Sequence, residues 1–326
     1  MNNALYRFIV STLTAVASVG IMHADTTNPT PPVGPTPGTL LTIRGGTTVY
    51  VIDADTAIES GNWHEAIVWS WDALSIAGKT GLPKSRIDHI DDSKLVDNGT
   101  KMLVTSSYGW CVMLDYATRK LLFYTTRTPN AHSADLLPGD MIAVACSSGT
   151  GDGYNTVQLY DAARSDVKIA EYSFPKAHAV VWDDNTQRLY VAGDRQIGIY
   201  RRSGASLEIE ETVVTAKSNV HDLMLIKPGK MSIAGKEAYI YDIEQKSFRN
   251  IPFLIGRTGL KSLNVSPYTG EMWYTDATDT VDIGQWWSNE LWWASGRTAD
   301  APAMSIRLRD IDVYKVRVAR WGKPVE

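Results

Sequence analysis

Three of the chain's six histidines recur in one register. His132 opens HSADLL, His178 opens HAVVWD and His221 opens HDLMLI, and each stands twelve residues before a member of the next apolar run: Val144, Tyr190 and Ile233. Lys261 opens KSLNVS at the same distance from Trp273, and the same offset back from Val104 lands on Asp92, with Lys94 two residues on. Imidazoles that converge from one side and leave the other side open are what a catalytic metal needs. The expected ligand set is therefore His132, His178, His221 and Asp92, holding a divalent ion such as Mn, Zn or Ca. Asp222 or Asp135 would orient a ring nitrogen, and Lys94 and Lys261 would flank the ion with positive charge suited to a ligand carboxylate. A shared packing role, each ring bonding a neighbouring strand's backbone, would repeat in the same way.

Other residue types offer less. Tyr108 and Tyr154, in loops, are the acid or base candidates beside a cation. Trp286 and Trp287 lie in a polar loop where a flat apolar ring could stack on a sugar, whereas Trp292 and Trp293 read as a core strand. His89 lies just before the second inner strand and is expected near the same site; His64 and His23 carry no argument. Gly149 to Gly153 follows a strand without opening a helix, so it is a hairpin loop and not a phosphate cradle. Asn98-Gly99 is a tight turn. No serine-nucleophile motif, no telling carboxylate pair and no CxxC is present. Cys111 and Cys146 sit inside apolar strand patterns and are expected as buried thiols, although export would permit a disulfide.

The elements that must position these residues repeat with a period near forty. The second-strand set is KMLVTSS, MIAVACSS, RLYVAG, KMSIAG and EMWYTD. The third-strand set is VYVIDAD, CVMLDYA, VQLYDAA, IGIYRR and AYIYDIE, and the outer set is AIVWSWDA, KLLFYTT, KIAEYSF, LEIEETVV and SFRNIPF. β-branched and aromatic runs bounded by turn residues are strand chemistry, and four-stranded units at this spacing are propeller blades. The expectation is an all-β propeller with six blades, or seven if residues 276–310 hide another. The first unit starts at LLTIRGG without an inner strand, and DVYKVRVARW at Asp312–Trp321 is a spare one. Pairing the two would close the ring and remove its free edges. Between Trp63 and Ala77 there is room for a short helical turn.

The chain has 326 residues, 44% hydrophobic and 21% charged, enough for a full core. Arg7 precedes an apolar run from Phe8 to Gly20, too short for a comfortable membrane span, so residues 1–24 read as a signal peptide. Residues 25–38 form a Thr/Pro-rich tether, and 39–326 the propeller. Export implies a periplasmic or extracellular protein with no membrane span in the mature chain. The net charge of −4 becomes more negative once Arg7 is removed, and gives no basic footprint for nucleic acid. A monomer is expected.

AHSADLLPGDMIAVACSS, KAHAVVWDDNTQRLYVAG, NVHDLMLI, WHEAIVWSWDA and the closing VYKVRVARW resemble a family of exported bacterial propellers of unknown function, seen especially in Bacteroidetes. The likeness spans nearly all of the chain after the leader, and implies a propeller and export without an activity. The histidine register is also distantly similar to propeller polysaccharide lyases such as oligogalacturonate lyase, which hold a metal on histidines of successive inner strands. The glutamine that completes that metal set has no counterpart here. The first functional expectation is a metal-dependent lyase for acidic, uronate-containing saccharides, or for another small anionic ligand. The alternative is a non-catalytic propeller that binds a glycan or a protein. A hydrolase or lactonase using a metal-bound water is a third.

Overall fold

The computed structural model describes residues 34–215, 219–278, 286–296 and 304–323. Six antiparallel four-stranded sheets follow one another along the chain as the blades of a β-propeller. Blade 1 is built on Leu40–Gly45 and blade 2 begins at Ile90. The inner strands of blades 3 to 6 are Ala131–Leu137, Ala177–Asp183, Asp222–Lys227 and Leu260–Val265. Within residues 276–310, where a seventh blade had room, the described strands belong to the sixth: Glu290–Ala294 is its third strand and Met304–Arg307 its outer one. Trp293 is buried there, as its core-strand reading requires.

The alternation of side chains along each strand explains why six blades hold together. Successive residues point to opposite faces of a sheet, and both faces of a blade must be covered. Leu103 packs towards blade 3, with Ile142 and Val144, while its neighbours Met102 and Val104 pack towards blade 1, with Val49 and Val51. Six apolar clusters result, one between each pair of adjacent blades. Cys111 and Cys146 both lie in the cluster between blades 2 and 3 as free, fully buried thiols. Burial raises both thiol pKa values, so they behave as apolar residues.

The last strand, Arg317–Arg320, pairs antiparallel with Leu40–Gly45 as the inner strand of blade 1. The ring is thus closed by non-covalent exchange between the two ends. The chain before Leu40 adds to the closure: Thr36 donates its N–H and hydroxyl to Glu271 of blade 6 at 2.9 and 2.8 Å, and Gly38 N donates to Asp55 at 2.8 Å. The end of the proline-rich stretch assigned to the tether is therefore fastened to the propeller. The residues read as a signal peptide, and most of those read as a tether, lie outside the described residues.

One helix escaped the strand pattern. Ala54–Ser60 joins the third and outer strands of blade 1, opened by Asp53, whose carboxylate accepts the Thr56 N–H at 2.9 Å, and ended by Gly61 at φ 63°. The helical turn expected between Trp63 and Ala77 appears at its far end, as a short turn at Ala73–Ile76 running into Ala77–Thr80. No helix among the described residues is long and apolar enough to cross a membrane.

Candidate functional site at the channel mouth

At the start of the inner strands the ladder skips one residue. In blade 2, Ile90 faces Ser106 and Asp92 faces Thr105, which leaves Asp91 unpaired. The same skip isolates His132, His178 and Lys261 in blades 3, 4 and 6. In blade 5, His221 stands just before the inner strand, with its N–H bonded to Ala234 O at 2.8 Å. In blade 1 the segment leading into the closing strand supplies Tyr314. A bulge breaks the in–out alternation and re-aims a side chain. Here it turns Asp91, His132 and His178 towards a cavity of about 460 Å3 at the mouth of the channel, which His221 and Tyr314 also line; Lys261 lies behind that lining, against His221.

The blade 2 member of this ring is Asp91, not the expected Asp92. The cause is hairpin length. Leu137 pairs with Met141 across three loop residues in blade 3, but Val96 pairs with Lys101 across four in blade 2. An offset of twelve taken from blade 3 therefore falls one residue short in blade 2. Blades 4 and 6 also have the longer spacing, and there the histidine and the lysine had marked themselves.

The ring side chains touch in sequence. His132 and His178 stack nearly parallel, with centroids 4.5 Å apart at 8°, and His178 meets His221 edge-on at 4.9 Å. Tyr314 packs on His132 at 5.3 Å and its hydroxyl lies 3.1 Å from His221 Nδ1. Lys261 Nζ lies 3.3 Å from His221 Nε2. On the other side, His132 Nδ1 is 3.3 Å from Asp91 Oδ1, without the alignment of a hydrogen bond. His178 Nδ1 lies 2.8 Å from Lys176 O and 2.9 Å from Ser147 Oγ.

Burial and neighbouring charge lower the proton affinity of two of the three histidines. Burial first, and then the neighbouring His132, lower the pKa of His178 well below the ordinary imidazole value; burial, His178 and Lys261 do the same for His221. Burial lowers Lys261 to about 8, partly offset by Asp276. Burial, followed by Asp91, Asp222 and Asp92, pushes the Tyr314 phenol well above its usual range.

Two expected members of the site work deeper in the channel. Arg317, on the closing strand, binds Asp92 through Nε and Nη2 at 2.7 and 2.8 Å, and Asp222 through Nη1 and Nη2, both at 2.7 Å. Burial alone would raise the Asp92 carboxyl, but the guanidinium outweighs it and holds that pKa far below the usual range. Lys94 donates to Val180 O at 2.8 Å and lies 3.4 Å from Asp135. Lys315 donates to the carbonyls of His132 and His178 at 3.2 and 3.0 Å. Three cations and three carboxylates thus offset one another below the mouth, and Asp92 and Lys94 belong to that layer. Asp135 and Asp222, expected to orient a ring nitrogen, belong to it too.

The mouth is rimmed by aromatic rings. Trp286 is exposed, and Lys261 Nζ lies 5.0 Å from the centre of its ring. Trp287 stands edge-on to Tyr314 at 5.6 Å and carries the Arg44 guanidinium 3.9 Å over its face. Tyr108 stacks on His89 at 4.1 Å. Tyr108 and Tyr154 line a neighbouring groove that meets the mouth at Ser107 and Asn130, so both stand beside the ring and outside it. His64 is remote, paired with Asp310 at 2.8 Å.

As arranged, the ring does not fit a three-histidine metal centre. His132 and His178 lie face to face, His221 Nε2 is met by an ammonium, and Asp92 is held by Arg317. Among the described residues no group of three or more His, Cys, Asp or Glu side chains is placed to hold a metal ion. Asp91, Tyr314 and Lys315 went unread in the sequence. Aligning VYKVR of the closing strand on VHDLM of blade 5 would have found Tyr314 opposite His221.

A family described as "Family of unknown function (DUF6528)" matches residues 43–202, from the second strand of blade 1 into the third strand of blade 4. The matched stretch contains Asp91, His132 and His178, but not His221, Lys261 or Tyr314. No curated protein matches. Among solved structures, the chain is similar to one titled Kuenenia stuttgartiensis Hydrazine Synthase, with 11% identity, a TM-score of 0.49, and coverage of 69% of this chain and 68% of that one.

Proposed function

We propose that the channel mouth is a binding pocket for a small carboxylate-bearing ligand, an acidic saccharide in the first instance, in a protein exported by its leader. The observation that carries this reading is the cation left over at the mouth. Lys94, Lys315 and Arg317 are matched by Asp92, Asp135 and Asp222, whereas Lys261 Nζ meets an imidazole and two aromatic faces and no carboxylate among the described residues. A buried ammonium that touches no carboxylate among the described residues, with Asp276 acting on it only from a distance, gains most from an anion that makes direct contact. Trp286 and Trp287 supply apolar faces for a sugar ring beside it.

Calorimetric titration with oligogalacturonate and with the neutral oligogalactan tests this. Acidic oligomers bind, neutral ones bind more weakly, and Lys261→Met weakens the acidic ligand about ten- to a hundredfold, the scale of one charge-assisted hydrogen bond. Equal binding of both sugars, or binding of neither, overturns the reading.

A lyase is the second reading, and the His221–Tyr314 contact favours it. A neutral imidazole positioned by a phenol is a base able to take the proton beside a uronate carboxylate. It predicts an unsaturated product, seen as ultraviolet absorbance; binding without turnover leaves a recognition propeller. Elemental analysis of the native protein covers the metal-dependent form, which requires a stoichiometric divalent ion lost in His178→Ala.

A further inference from the structure

Lys261, His221 and Tyr314 come from three different blades, yet form one line of contacts. Lys261 Nζ is 3.3 Å from His221 Nε2, and His221 Nδ1 is 3.1 Å from the Tyr314 hydroxyl. Lys261 is 3% exposed and His221 7%. This is the order of a nucleophile, the base that takes its proton, and the group that fixes the base. An ion-paired lysine is locked as an ammonium; this one has, where a carboxylate would normally stand, an imidazole nitrogen whose protonation burial disfavours. The side chains its amine meets, His221, Trp286 and Tyr314, all line the mouth cavity.

We propose that Lys261 is a nucleophilic amine that forms a Schiff base with an aldehyde or 2-oxo acid at the channel mouth, with His221 as its proton acceptor and Tyr314 as the positioning residue. The ammonium gives one proton to His221 Nε2, and the freed lone pair attacks the carbonyl carbon. A C–N bond forms as the C=O π pair moves to oxygen, which takes the proton back from His221. The nitrogen then loses its second proton to His221 as the C–O bond breaks, and that proton leaves with the hydroxyl as water. No oxidant or reductant is required. The lowered pKa of about 8 for Lys261 makes the neutral amine accessible near neutral pH.

The proposal shares the pocket of the anion-binding reading but not its test. The intact protein is incubated with glyoxylate and cyanoborohydride, and the carboxymethyl adducts are located by peptide mapping. Lys261 is expected to be labelled at least tenfold faster than the exposed Lys79, with a rate that rises through pH 8 and levels about one unit above it. Lys261→Arg gives no adduct at that position, and His221→Asn slows labelling there while Lys79 is unaffected. Labelling that follows exposure alone, or a Lys261 left unmodified while Lys79 reacts, overturns the nucleophile. If that happens while oligogalacturonate still binds, the anion pocket stands; if neither occurs, both readings fall.

Discussion

Protons decide most of what the mouth residues can do. His178 and His221 have folded-state pKa values below the ordinary histidine value, so near pH 6 the folded protein binds fewer protons than the unfolded chain. Stability therefore falls as pH drops through the ordinary histidine range, by up to about 1.4 kcal/mol per pH unit for each ring. Urea unfolding at pH 7, 6 and 5 should show this slope, and His178→Phe, which keeps a flat ring against His132, should reduce it by about one proton's share. An unchanged slope in that variant would mean that His178 takes up a proton freely in the fold. At this scale the sequence disclosed three histidines and a lysine by type and spacing. It could not separate Asp91 from Asp92, because adjacent carboxylates are told apart only by a bulge and a hairpin loop one residue longer.

The elements that set the ring are the skipped ladder position and the loop before it. Asn130, Lys176 and Asn219 each stand two residues ahead of a ring histidine with φ of 51°, 48° and 59°. The Lys176 and Asn219 carbonyls press on the end of the neighbouring strand. An added Cβ would stand 2.3 Å from Lys176 O at Gly193 and 2.2 Å from Asn219 O at Gly235. Only glycine permits that approach. Gly235→Ala is therefore expected to cost about 1–3 kcal/mol, read as a lower denaturation midpoint, and to weaken binding at the mouth by displacing His221. A variant of wild-type stability would show that the Asn219 loop yields freely. The AG ending of these strands was legible in the sequence; the reason for its glycine was not, since the crowding atoms belong to a loop fifteen or more residues earlier in the chain.

Across the whole molecule, one strand both closes the ring and plugs its channel. Arg317 reaches Asp92 of blade 2 and Asp222 of blade 5 from blade 1, so the ion pairs form only when the last strand has docked. Removing one partner of a buried pair leaves the others uncompensated, at about 3–5 kcal/mol. Arg317→Met should lose that much in equilibrium unfolding, whereas replacing the exposed Arg320 should cost less than about 1 kcal/mol. Equal losses would place the closure in the backbone pairing alone.

The sequence by itself determined the propeller repeat, the exchange that closes the ring and the level at which the histidines meet, while the choice of six blades over seven waited for the structure. The first three follow from strand-length patterns and a repeat period, which are local properties summed along the chain. Tertiary structure alone decided which charges are matched and which are left at the mouth. Asp92, Lys94 and Lys261 look alike as polar residues on inner strands, but their partners lie on other blades. Arg317 is 225 residues from Asp92, and the lysine that touches no carboxylate among the described residues is identified only from the contacts across blades.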